Sequence, residues 1–214
     1  MVLFPILAEV RAYWAGLRDG AALPRRDQID PRGIAGALEN TFLLERVAPG
    51  VARFRLAGMH LHDLMGMDVR GMPLTALIDP LGRNRLSGGV EQVFAAPAIL
   101  DLTLEAERGI GRPPLEGRML LLPLISSRGV SDLALGCLAL EGGMGRAPRR
   151  FAIAGLRNEV IGPRFDEMRS VALAKASRPT TPAMALAQAG AAFTLSTPRP
   201  PRGKPHLRLV ASRD

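Results

Sequence analysis

The sequence is short of the residues that carry most protein chemistry. Its 214 residues include one cysteine, Cys137, and three histidines, His60, His62 and His206. A lone cysteine excludes an internal disulfide and any site needing several thiolates, and it fits a reducing compartment. Aromatic residues make up only 4%, so a core drawn from the 47% hydrophobic residues must be mostly aliphatic. Long apolar runs are scarce too. The longest beyond the N-terminus, MLLLPLI at 119–125, falls far short of the roughly 20 residues of a membrane-spanning helix. The opening MVLFPILAEVRAYW has no basic residue ahead of its apolar run and is broken by Glu9 and Arg11, unlike a secretory signal. A soluble, cytoplasmic protein is expected.

What is present is unevenly placed. The net charge is +8, yet residues 175–214 hold Lys175, Arg178, Arg199, Arg202, Lys204, Arg208 and Arg213 against Asp214 alone. That is +6 of the total and leaves +2 for residues 1–174. The high pI therefore belongs to a tail whose Pro, Thr and Ala content reads as largely disordered. It does not describe a basic surface on the folded part.

Apolar periodicity sets the elements. Leu3, Leu7, Val10, Trp14 and Leu17 alternate spacings of four and three, which predicts a helix over 3–17 ending near Gly20. LPRRDQIDP at 23–31 follows, and its two prolines and its Asp30-Pro31 helix start predict a shaped joint, with a solvated charged turn as the alternative. Strands are expected at 41–47 and 51–57 around a Pro49-Gly50 turn, then a short helix closed by Gly66 and a longer one over 82–95. Three more strands are expected at 98–107, 115–125 and 133–141, with Pro123 hinting at an edge or bulge. RRFAIAGLRNEVI reads as extended or as a short helix, RFDEMRSVALAKA as helical, and PHLRLVA as an apolar island in the tail.

This order, with AYWAGLRDGAALPRRDQIDP, LENTFLLERV and ARFRLAGMHLHDLMGMDVRGMPL, resembles the small stand-alone PAS proteins of alphaproteobacteria, often labelled PAS_5. The resemblance covers roughly residues 10–141. The element order reads as α+β, and with the resemblance the expected fold is a PAS-like five-stranded antiparallel sheet with short helices on one face, an N-terminal helical extension and a largely disordered C-terminal tail. The divisions are 1–22 for the amphipathic helix, 23–145 for the PAS-like domain, 146–174 for an extension and 175–214 for the tail. It also implies a sensory or signalling module, usually dimeric, without a settled enzymatic activity.

PAS domains hold ligands between sheet and short helices, so Phe54, Met65, Phe94, Met119 and Cys137 are the expected pocket. No cofactor is predicted. Haem-type members need a histidine on the long helix, and residues 82–95 have none. Flavin photosensors need a cysteine just ahead of that helix, whereas Cys137 falls in the last expected strand. No metal site is expected either: His60 and His62 point apart on a helix, and nothing nearby completes a ligand set. Glu105 and Glu107 share a strand face near Arg108 and Arg118, which reads as cross-strand ion pairing. Ser126, Ser127 and Ser131 have no base placed to activate them.

The stripe Leu3, Leu7, Val10, Trp14 and Leu17 has two readings. It caps its own sheet, or it forms a seam with a second chain. The second is favoured here. The expectation is thus a non-catalytic signalling module acting through a homodimer and a partner protein in trans, with a small apolar ligand in its pocket. The alternative is an adaptor whose basic tail contacts nucleic acid or anionic lipid.

Overall fold

Proline and glycine punctuate the chain, and the elements start and stop where they stand. The computed structural model describes residues 4–20 and 22–161. α1 spans Pro5–Gly16, its proline in the first turn where no intrahelical N–H is needed. The joint folds into two 3-10 segments, Arg26–Gln28 and Pro31–Asn40. Asp30 caps the second, its Oδ1 accepting from the Arg32 backbone N–H at 2.9 Å. The segment bends at Ile34 (φ −130°, ψ 31°), between Gly33 and Gly36, whose lack of side chains weakens a regular helix.

β1 (Thr41–Ala48) and β2 (Val51–Ala57) form the expected hairpin, with Gly50 at φ 68° in its turn. α2 (Met59–Met65) ends on Gly66, left-handed at φ 69°. A 3-10 turn at Leu74–Leu77 leads to α3 (Arg83–Ala95). β3 (Ala98–Ala106), β4 (Leu115–Ile125) and β5 (Ser131–Gly142) follow, then β6 (Phe151–Val160).

The antiparallel sheet runs β2-β1-β5-β4-β3-β6, so it has six strands where five were expected. The sixth is the segment left open as extended or helical, and it pairs along β3 from Ala98↔Val160 to Ala106↔Phe151. The sheet therefore takes in residues placed in the 146–174 extension. Pro123 does not mark an edge. β4 lies between β5 and β3, but pairing to β3 stops at Leu121, and the proline sits beyond it.

Helices also cover both faces of the sheet, not one. The inner face carries α2, α3 and the Leu74–Leu77 turn over Phe42, Leu44, Phe54, Leu100, Met119 and Leu138. The outer face carries α1 and the joint over Leu43, Leu120, Leu122, Leu124, Leu133, Leu135 and Cys137. Two buried faces explain why MLLLPLI and LALGCLALE are continuous apolar runs and not alternating ones.

That outer layer answers the question of the stripe. Leu7, Val10 and Trp14 are 8%, 0% and 1% exposed because they pack on the chain's own sheet. Burial on that scale contributes roughly 1.5–3 kcal/mol for each large apolar side chain. Leu17 is half-buried, and Leu3 lies outside the described residues. The stripe is thus occupied within one chain, and three of the five proposed seam positions are covered by it. The helical reading of RFDEMRSVALAKA, the PHLRLVA island and the basic tail also lie outside the described residues.

Candidate functional site

The charged joint is held on every side. The Pro24 carbonyl accepts from the Ile125 N–H at 2.9 Å, and Arg25 bridges in parallel to the same residue. The Gln28 side chain accepts from the Arg25 N–H at 2.7 Å. The Tyr13 hydroxyl accepts from the Asp30 N–H at 2.7 Å and donates to the Asp30 carbonyl at 3.1 Å. The tyrosine ring lies against Gly33, where an added Cβ would come within 2.2 Å of Cε2. LPRRDQIDP is therefore a built joint, as its punctuation predicts.

Between this joint and the outer face of β1 and β2 lies a groove. Its apolar half is a cavity of about 200 Å³ bounded by Ile29, Ile34, Leu38, Leu43 and Leu56, with Arg26 at its mouth. It continues into a larger, more polar hollow of about 660 Å³, reaching Glu45, Arg55, Ser126, Ser127 and Arg128. Arg26, Leu43 and Leu56 line both parts. Leu38 and Leu56 are 40% and 53% exposed there, unusual for leucines beside a core.

The sequence-predicted pocket lies elsewhere. Phe54, Met65, Phe94 and Met119 do meet, all buried in the inner layer, but they fill it as packed core and line neither part of the groove. Cys137 is on the wrong face for that pocket. The register Thr41↔Cys137↔Leu120 turns it outward, and its neighbour Leu138 points inward instead. A one-residue error along a strand reverses the face. Burial, with a smaller contribution from the Glu9 carboxylate, pushes the Cys137 thiol up to about 12. A thiol placed there has no access to a ligand held under the short helices.

The other chemistry-bearing residues sit apart. His62 Nδ1 lies 3.8 Å from an Asp68 oxygen on α2's own loop. Among the described residues no group of three histidine, cysteine or acidic side chains is arranged to hold a metal ion. Glu107 pairs with Arg112 at 3.2 Å, and Arg118 pairs with Asp101 at 2.5 Å, not with the glutamates. Sequence reasoning missed the groove residues. Arg26 read as one charge among several in a turn, and Leu43 and Leu56 read as ordinary strand positions.

Residues 4–139 match the PAS domain family, PAS_5. The chain belongs to the PAS domain family. No curated protein matches it. One similar solved structure is "The light state structure of the blue-light photoreceptor Aureochrome1 LOV", at 13% identity and a TM-score of 0.36, over 52% of this chain and 88% of that one. PAS domains are sensory and signalling modules, and family membership carries that broad class to this chain. No helix of this PAS domain, among the described residues, is long and apolar enough to cross a membrane.

Proposed function

We propose that this PAS domain is a non-catalytic, cytoplasmic signalling module that senses a small ligand in the outer groove. Occupancy is passed on by altered contact with a second copy of the chain or with a partner protein in trans. The observation that carries the reading is the contrast between the two faces. The inner layer is filled by Phe54, Met65, Phe94 and Met119, whereas the outer groove leaves Leu38 and Leu56 exposed beside Arg26. The groove floor belongs to β1 and its roof to the joint, so a ligand there touches the link between α1 and the sheet. Such a ligand biases the helix position only by binding one arrangement better than another.

Native mass spectrometry of the freshly purified full-length chain tests this. The expected result is a bound small molecule whose removal changes the dimer fraction. Association that is identical with and without the ligand contradicts the reading.

A further inference from the structure

The chemistry of the groove specifies the class of its ligand. We propose that it takes a small amphipathic carboxylate, with an apolar body in the apolar half and its carboxylate on Arg26. This rests on the groove being the sensory site.

Size comes first. An apolar cavity of about 150 Å³ accommodates benzene, so about 200 Å³ accommodates a body of about eight carbons. The wall is aliphatic, from Ile29, Ile34, Leu38 and Leu56, and a body seated there covers the two exposed leucines.

Charge gives the head group. The carboxylates at the mouth are already answered: Asp27 by Arg25 at 3.3 Å and Glu45 by Arg55 at 3.5 Å. Arg128 is engaged by Asp132. Arg26 lines both halves of the groove and is half-buried, and its guanidinium has no hydrogen-bond or ion-pair partner among the described residues. A planar guanidinium at the edge of an apolar cavity matches a carboxylate through paired N–H···O bonds. A cationic ligand would meet Arg26 as a like charge. A neutral hydrocarbon would leave it unanswered, and a bare inorganic anion would leave Leu38 and Leu56 uncovered. The hydrogen bonds that fix the joint place Arg26 in advance, so binding does not have to order the segment that carries it.

The test is isothermal titration calorimetry of the full-length protein with octanoate, and with 1-octanol and acetate as controls. One site for octanoate is expected, with weaker binding of both controls. Arg26→Gln should weaken octanoate roughly tenfold or more while leaving 1-octanol unchanged. Leu56→Asp, at a position 53% exposed, should weaken octanoate by a similar factor. Octanoate binding that is indifferent to both substitutions overturns the proposal, as does no binding at millimolar octanoate. A bound non-carboxylate that does not need Arg26 also overturns the ligand class but leaves the sensory reading standing. Arg26-dependent octanoate binding with no change in oligomeric state upholds the ligand class and removes the signalling reading.

Discussion

The indole N–H of Trp14 donates to the carbonyl of Pro123 at 3.0 Å, tying α1 to an interior strand of the sheet. The bond is buried, and Trp14 is 1% exposed. The accepting carbonyl lies beyond Leu121, where the pairing of β4 with β3 stops. Trp14→Phe keeps most of the bulk and removes the donor, and should cost about 1–2 kcal/mol in urea unfolding. Trp14→Ala also opens a cavity and should cost about 3–5 kcal/mol. If Trp14→Phe is as stable as the parent, the hydrogen bond does not hold the helix.

Arg149 is a buried cation that serves as a staple. Its guanidinium donates to the carbonyls of Glu107 at 3.0 Å, Pro113 at 2.8 Å and Gly143 at 3.4 Å, and also to Met144. Two connections, β3 to β4 and β5 to β6, are thus tied together by one side chain. Its removal by Arg149→Met leaves several buried acceptors without donors and should cost about 3 kcal/mol or more. Hydrogen exchange should quicken first at β6 and at residues 107–113. Uniform destabilisation with no local quickening would argue against the staple.

Gly136 is a glycine in the middle of a strand because Phe42 lies across it. An added Cβ would stand 2.0 Å from Cε2 of that ring, which is itself edge-on to Phe54 at a centroid distance of 5.3 Å. Gly136→Ala should cost about 1–3 kcal/mol through overpacking. Combined with Phe42→Leu, the two losses should sum to less than their separate values, because the smaller side chain relieves the contact. Strict additivity in a thermal or chemical denaturation cycle would show that the ring does not set the glycine.

Cys137 makes a pH prediction with a definite sign. Its thiol ionises at about 12 in the folded chain against an ordinary 9.0, because burial disfavours the thiolate. The folded state therefore holds its proton where the unfolded state has lost it. The stability this contributes is present below about pH 9 and is lost as pH rises toward about 12. Cys137→Ala should flatten that part of the stability profile relative to the parent. The native thiol should also resist a disulfide reagent at pH 8 and react only after unfolding. Rapid reaction in the native state would contradict the burial.

Much of this fold is legible in the sequence. Pro49-Gly50, Gly66 and Asp30-Pro31 mark turns and caps through local chemistry, and each lies where that chemistry puts it. What was hidden depends on which face of the sheet is covered. LALGCLALE has no polar alternation to orient it, so the outward direction of Cys137 is fixed only by the pairing of β5 with β1. The apolar stripe of α1 reports that it is buried but not against what, and its own sheet is the answer. RRFAIAGLRNEVI carries too weak a pattern to show a strand, and only pairing with β3 reveals it. The groove was invisible for a related reason. It joins Arg26 and Leu38 of the joint to Leu43 and Leu56 of a hairpin, and no short sequence window contains all four.

The central claim is that the outer face of this PAS domain, and not the layer under its short helices, receives the ligand. Chemical-shift mapping of the full-length protein titrated with octanoate tests it most directly. The account predicts the largest shifts at Arg26, Leu38, Leu43 and Leu56, with Met65, Phe94 and Met119 little changed. Shifts centred on Met65, Phe94 and Met119 would contradict it and return the site to the inner layer.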